Sequence, residues 1–367
     1  MSNYYQLYGS EASYFTGKVR SYLRYKGIAY EEHQATLTVY KNLILPRTGV
    51  HYVPVLISPD DIAVQDTTDI IDFLEQRFPD NSIYPDTPLQ KLVALLFEVY
   101  ADEWLILPAM HYRWNFKRDN LKFILEEFGS TALPHRSKYL KRLAGLPPAL
   151  FFGSSVGKIV GVTNKNIAAI ETWTEEFFIQ FNQHLEQHDF LLGSKPSIGD
   201  FGLMGPLYAH LYRDPYPGKL MRDIAPRVAQ WVERMNAPDI NTGVFLANDE
   251  VPDTIWPMLH RMFSEQFPVL QETIERVASY AQSHQPKRQV PRFIGTHQTC
   301  IEGVQENRKI FSFSQWMFQR PLFFYQSLSA ENKKMIDPLL KQWGGYDGMQ
   351  TQIHYPLERH KNKLRVK

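Results

Sequence analysis

A single cysteine, Cys300, stands in a chain of 367 residues. A lone thiol closes no internal disulfide, which fits a reducing compartment better than a secreted setting. Neither sign of charge predominates: 40 Lys and Arg face 39 Asp and Glu, for a formal charge of +1. That balance withholds the electrostatic footprint of a nucleic-acid binder, so no nucleic-acid partner is expected. Long apolar runs are scarce too. The longest stretch free of charged residues, Leu143 to Gly157, contains Pro147, Pro148 and three glycines. It reads as too short and too broken to span a bilayer. The opening Met-Ser-Asn-Tyr-Tyr-Gln has no basic start and no apolar core of a signal peptide. A soluble, cytoplasmic, globular protein is expected.

What the chain has in quantity is aromatic residues, 23 Phe, 20 Tyr and 7 Trp. Most of these rings should be core, because burying them is an effective way to hold helices together. The length allows two domains and part of a third.

The first 80 or so residues have a mixed pattern. Tyr4 to Tyr8 reads as a strand ending at Gly9, and Val19, Tyr22 and Leu23 place one stripe on a helix closed by Gly27. Strands follow at Ile28–His33, Val53–Ile57 and Ile62–Val64, the last two joined by the turn Ser58-Pro-Asp-Asp61. A helix begins after Asp66-Thr67, and Pro79 stops it. From Pro88 onward the periodicity is helical, except between Gly129 and Gly157, where Pro and Gly suggest an interruption or mobile connection. The expected divisions are 1–84, 88–238 and 239–367. In the last of these, Ile310, Phe311, Phe313, Trp316, Met317 and Phe318 are too apolar for a solvated tail and should pack within the chain.

Several residues have chemistry to offer. Pro54 opens a strand that should be central, although proline donates nothing to a ladder. A cis peptide would reconcile the two, against the commoner alternative of a trans proline on an edge strand. Asp66 and Thr67 start a helix, where they are normally caps. A helix N-terminus beside an acid also suits a zwitterionic amino-acid group, carboxylate on the N–H groups and ammonium on the acid. Ser13 and Thr16 precede another helix, either as caps or as donors to an anion.

Together, Ser13-Tyr-Phe-Thr-Gly-Lys-Val-Arg20, Lys26-Gly-Ile-Ala-Tyr-Glu-Glu32, Tyr52-Val-Pro-Val-Leu56 and Gln65-Asp-Thr67 resemble the N-terminal domain of a cytosolic glutathione transferase. The resemblance implies an α+β fold: a thioredoxin-like domain with a mixed four-stranded sheet, an all-helical domain, then a helical C-terminal extension. Glutathione is the implied co-substrate, a small hydrophobic electrophile the second, and a homodimer the assembly; no metal is implied. Ser13 is the implied thiol-activating hydroxyl, with Thr16 as the second candidate. Val53, Pro54, Gln65, Asp66 and Thr67 are implied glutathione contacts. A Tyr-type mechanism is disfavoured, since Gly9 ends the first strand. Leu191 to Asp200 resembles the family's structural capping box, Ser197 with Asp200. The chain departs from the pattern at Tyr14, in place of proline, and in the loop 36–52, where Arg47, His51 and Lys41 are candidates for the glycyl carboxylate. A non-catalytic, metaxin-like interaction protein is the alternative.

Other motifs compete weakly. Gly153-Ser-Ser-Val-Gly157 matches a nucleophile elbow, but that device needs a strand before it. His184 and His188 lie four apart, but a metal needs a third and fourth ligand and Asp189 is the only obvious neighbour, so a solvated polar face is the better reading. His111 to Phe116 reads equally as interface packing or as a hydrophobic-substrate wall.

Overall fold

The computed structural model describes residues 3–284 and 289–367. The start of the segment read as lacking a leader therefore lies outside the described residues. The chain forms two compact units, neither continuous in sequence: Met1–Ile83, Ala109–Gly157 and Phe201–Gly243 make the first, and Tyr84–Pro108, Lys158–Asp200 and Val244–Lys367 the second. The breaks fall after residues 83, 108, 157, 200 and 243, so the segment between the first and the last is shared by both units.

In the first unit, strand β1 (Tyr5–Gly9) leads into helix α1 (Thr16–Tyr25) and then β2 (Tyr30–Gln34). Strands β3 (Val55–Ile57) and β4 (Ala63–Gln65) form an antiparallel pair before helix α2 (Thr67–Arg77). The sheet order is β2-β1-β3-β4, with β1 parallel to β2 and antiparallel to β3. The expected stripes are buried, Val19, Tyr22 and Leu23 on α1 and Ile70, Ile71 and Leu74 on α2. Between these helices the Tyr22 hydroxyl donates to Glu75 at 2.7 Å, and Lys26 Nζ sits 3.1 Å from the same carboxylate. The connection from β2 to β3 is helical rather than open: Leu37–Val39, a π turn Tyr40–Ile44 and Leu45–Thr48.

Helices α3 (Pro88–Glu103), α4 (Ile106–Asn115) and α5 (Lys117–Ala132) come next. The region expected to be interrupted or mobile is helix α6 (Lys138–Val160), which carries Pro147 and Pro148 inside it. Backbones of α5 and α6 approach so closely that a Cβ on Gly145 would lie 2.1 Å from the Leu125 carbonyl oxygen. Among the described residues α6 is also the helix long and apolar enough to cross a membrane by length and composition. The stretch expected to be too short and broken to span a bilayer, Leu143 to Gly157, lies inside this helix.

Helices α7 (Ile167–His184), α8 (Ile198–Pro206), α9 (Pro215–Ile224) and α10 (Pro226–Asn236) complete the helical part. In the capping box Asp200 accepts from the Ser197 N–H at 2.9 Å and from the Ser197 hydroxyl at 2.8 Å. Burial nevertheless pushes the Asp200 carboxyl up to about 6.

The extension belongs to the core of the second unit. Asp249 accepts from the N–H groups of Leu89 and Gln90, 2.8 Å each, and so caps α3. Gln266 donates to the Val99 carbonyl at 3.2 Å, and Arg320 to the Tyr84 hydroxyl at 2.9 Å. Helices α11 (Phe267–Ser283), α12 (Ser312–Ser327) and α13 (Ala330–Gln342) are accompanied by two hairpins the helical reading did not anticipate, one between α11 and α12 and one after α13. These are β5 (Phe293–Ile301) with β6 (Val304–Phe311), and β7 (Leu357–His360) with β8 (Lys363–Val366). Both turn on two residues of positive φ, Glu302-Gly303 and Lys361-Asn362, the arrangement that matches strand twist. Of the apolar run, Ile310, Met317 and Phe318 are buried and the others half-buried.

Candidate functional site

Three chain turns meet at one end of the first unit's sheet. Tyr8 pairs with Val55, and Val55 with Gln65. The carboxyl end of β1, the amino end of β3 and the carboxyl end of β4 therefore share one sheet end. At that end lie the loop carrying Ser13, the Val53–Pro54 peptide and the turn Gln65-Asp66-Thr67. The Val53–Pro54 peptide is cis, as expected.

The β1–α1 loop is held from several sides. Gly9 passes so near Thr16 that a Cβ there would lie 2.3 Å from the Thr16 methyl carbon. A tyrosine has no place at that position. Thr16 is buried, and its hydroxyl oxygen accepts from the Ser10 N–H at 3.3 Å, so this side chain serves the loop. Ser13 is only half-buried; its Oγ accepts from the Thr16 N–H at 3.3 Å, which leaves its own hydrogen to donate. The two hydroxyls paired in the sequence reading thus occupy different environments. Tyr14, which departs from the family pattern, is buried against the His210 ring, centroids 5.4 Å apart. Tyr8 offers no activating phenol: its hydroxyl donates to Gln6 at 2.8 Å, and burial raises its pKa.

At the second turn, Asp66 is the N-cap of α2, accepting from the Thr68 N–H at 3.0 Å. Its backbone has φ 88 and ψ 138, a region L residues rarely adopt. Such strain costs about 1–3 kcal/mol and persists where surrounding structure demands it, commonly at ligand clamps. Gln65 and Thr67 are buried beside it. The candidates in the 36–52 region divide. Arg47 is engaged with Asp61 at 2.9 Å, whereas Lys41 and His51 are exposed.

Sequence reasoning missed the clamp behind the Ser13 loop. Buried Arg113 pairs with Asp214 through Nε and Nη2, both 2.7 Å, and donates to the Ala12 carbonyl at 3.0 Å. Glu11, in the same loop, lies 3.1 Å from Arg20 and accepts from the Tyr208 hydroxyl at 2.7 Å. Arg20 in turn grips Glu32 with two bonds of 2.6 Å. These partners are up to 197 positions apart, and a single sequence has no local signal for such pairs.

The competing motifs resolve. His111, Tyr112, Arg113 and Trp114 are buried, and Tyr112 and Phe116 stack on Tyr216, so this stretch packs within the first unit. Gly153 to Gly157 lies within α6, with no strand before it. His184 is core, which corrects its reading as a solvated face: its ring meets the Thr254 hydroxyl at 2.7 Å and the Phe190 carbonyl at 3.1 Å. Burial pushes its pKa down to about 4.

A parallel βαβ unit followed by an antiparallel pair and a helix, with a cis-proline opening the third strand, defines a thioredoxin-like domain, here continued by helices. The family model for the glutathione S-transferase N-terminal domain matches residues 7–82, and that for the glutathione S-transferase C-terminal domain matches residues 165–239. Over these two spans the chain is similar to glutathione S-transferases. Glutathione S-transferase U7 of Arabidopsis thaliana is 27% identical over 106 residues, covering 29% of this chain and 46% of that protein. Glutathione S-transferase U2 of the same plant is 28% identical over 102 residues, covering 28% and 45%. The chain thus spans just under half the length of these curated relatives. A solved glutathione S-transferase from Methylobacterium radiotolerans, in complex with glutathione sulfonate, is 17% identical, with 67% of this chain and 99% of that one covered and a TM-score of 0.40.

Proposed function

We propose that this chain is a glutathione transferase whose reactive centre is the carboxyl end of β1. The observation that carries the reading is the meeting of Ser13, cis Val53–Pro54 and Asp66-Thr67 at one sheet end. Asp66 supplies negative charge for the γ-glutamyl ammonium, and the amino end of α2 favours the adjoining carboxylate. Val53, whose strand opens at the cis bond, offers its backbone to the cysteinyl residue. Gln65 and Thr67 back this turn, and the exposed His51 is the side chain proposed to meet the glycyl carboxylate. Bound glutathione supplies the sulfur nucleophile.

A free thiol titrates near ~8.5, so little is thiolate at neutral pH. Ser13 donates to the sulfur while the amino end of α1 adds a favourable field, and each unit of lowering is worth about 1.4 kcal/mol. Thr16 acts by fixing the loop. The thiolate attacks a small hydrophobic electrophile; a cytoplasmic homodimer engaged in detoxification is the setting proposed with it. Calorimetric titration with glutathione tests binding, and Ser13→Ala tests the mechanism. The variant should bind glutathione nearly as wild type while the bound thiol titrates higher and turnover at neutral pH falls. An unchanged thiol titration would move the role away from Ser13, and no heat of binding in the wild type would favour the non-catalytic alternative.

A further inference from the structure

We propose that the outward face of helix α6 is a docking surface for an anionic lipid membrane. Tyr139, Leu143, Leu146 and Leu150 follow one another at helical spacings of four, three and four, and form one stripe. Their exposures are 66%, 64%, 40% and 70%, and Phe151 beside them is 64% exposed. The opposite side is fastened to the protein. Gly145 abuts α5, and a Cβ on Gly153 would lie 2.9 Å from the Trp114 ring. One side of α6 is therefore structural, and the other presents bulky apolar groups to the surroundings, well beyond the scattered exposed residues that need no explanation.

Charge selects the occupant. From Phe128 to Ile170 there is no Asp or Glu, while Arg136, Lys138, Lys141, Arg142, Lys158 and Lys165 all fall in that span of a chain whose net charge is only +1. Arg142 is paired with Glu126 at 2.7 Å, and Lys138 lies over the exposed Tyr139 ring at 5.5 Å. A second copy meeting this face through its own α6 would bring the same excess of cations, with Glu126 already paired to Arg142. A surface of anionic headgroups over acyl chains complements both the apolar stripe and the cations.

The helix lies on the membrane and does not cross it. Pro147 and Pro148 have no N–H, so the carbonyls of Leu143 and Ala144 lose their helical donors. In the headgroup layer water still satisfies them; in the hydrocarbon nothing would.

The test is co-flotation of the full chain with phosphatidylcholine vesicles, with and without phosphatidylserine. The wild type should float with phosphatidylserine present, at least about tenfold better than without it, and lose that preference as salt is raised. The Leu143→Glu/Leu150→Glu and Arg136→Glu/Lys138→Glu variants alter exposed positions, so each should fold, as read by circular dichroism, and stay unbound. A Leu150→Trp variant should gain a blue-shifted emission component on adding the anionic vesicles. Failure of the wild type to float, or equal flotation of the Leu143→Glu/Leu150→Glu variant, would overturn the proposal. A wild-type dimer that this variant disperses, with no vesicle binding, would overturn it in favour of a second copy.

Discussion

Asp66 is both the cap of α2 and the proposed ammonium partner, and two substitutions separate these roles. Asp66→Gly relaxes the positive φ and loses only a few tenths of a kcal/mol as a cap, about ~0.3. It should melt near or above wild type yet bind glutathione ~1.5–3 kcal/mol more weakly, the range for a charge-assisted bond. Asp66→Ala should lose affinity alike and also about 1 kcal/mol of stability. Calorimetry with thermal melts distinguishes them, and full affinity in the glycine variant would disprove the site. His184 makes a prediction of a different kind. Its folded pKa of about 4 lies below the ordinary 6.5. As pH falls through that window the unfolded chain takes up a proton that the folded core refuses, so stability drops, by roughly 3 kcal/mol in all. Asp200, raised to about 6, works in the opposite direction, but it is common to wild type and His184→Gln. The stability advantage of wild type over that variant should therefore shrink between about pH 7 and about pH 4.5. Denaturant midpoints across that range check it, and a constant gap would mean that His184 titrates normally.

Among the elements, the β1–α1 loop depends on a clamp and a close approach. Arg113→Leu should cost about 3–5 kcal/mol by leaving Asp214 buried without its partner, and the Arg113→Leu/Asp214→Leu pair should cost less than the single change. Chemical denaturation of the three proteins decides this. The loop's motif was legible, because a serine before a helix and an aspartate at a cap are local events. The clamp was not, since Arg113 and Asp214 meet only through tertiary folding. Nor was α6, whose paired prolines read as a break although the helix continues through them on the support of α5. The hairpins of the extension show a third kind of failure. His297, Thr299 and Ile301 alternate with exposed neighbours along β5, a period of two in burial that the residue types Thr, His, Gln, Thr and Cys only weakly carry. It went unread because the turns Glu302-Gly303 and Lys361-Asn362 lack the usual Asn-Gly signal.

For the molecule as a whole, the join at 236–248 should resist proteases, although it reads as a linker. Leu246 donates to the Leu192 carbonyl at 2.9 Å, and Ser194 to that of Val244 at 3.1 Å. Limited trypsin or thermolysin digestion should leave the segment uncut under conditions that nick exposed loops; early cleavage there would show the extension to be tethered and not built in. The domain order was readable because each motif is local and the order of motifs is fixed. The sharing of helices between two units was not, because nothing in a helix's own residues records which neighbour it will join.

That sharing also bears on how the protein is made. Ser21 donates to the Met235 carbonyl, Asn241 to that of Tyr25 at 3.0 Å, and the Tyr25 hydroxyl to that of Thr242 at 2.9 Å. The sheet and its two helices leave the ribosome first, yet the residues that seal α1 arrive some 160 positions later. At ordinary elongation rates that is a wait of roughly ten to thirty seconds. Through that interval the nascent chain exposes the apolar back of α1, the kind of surface that chaperones bind during synthesis.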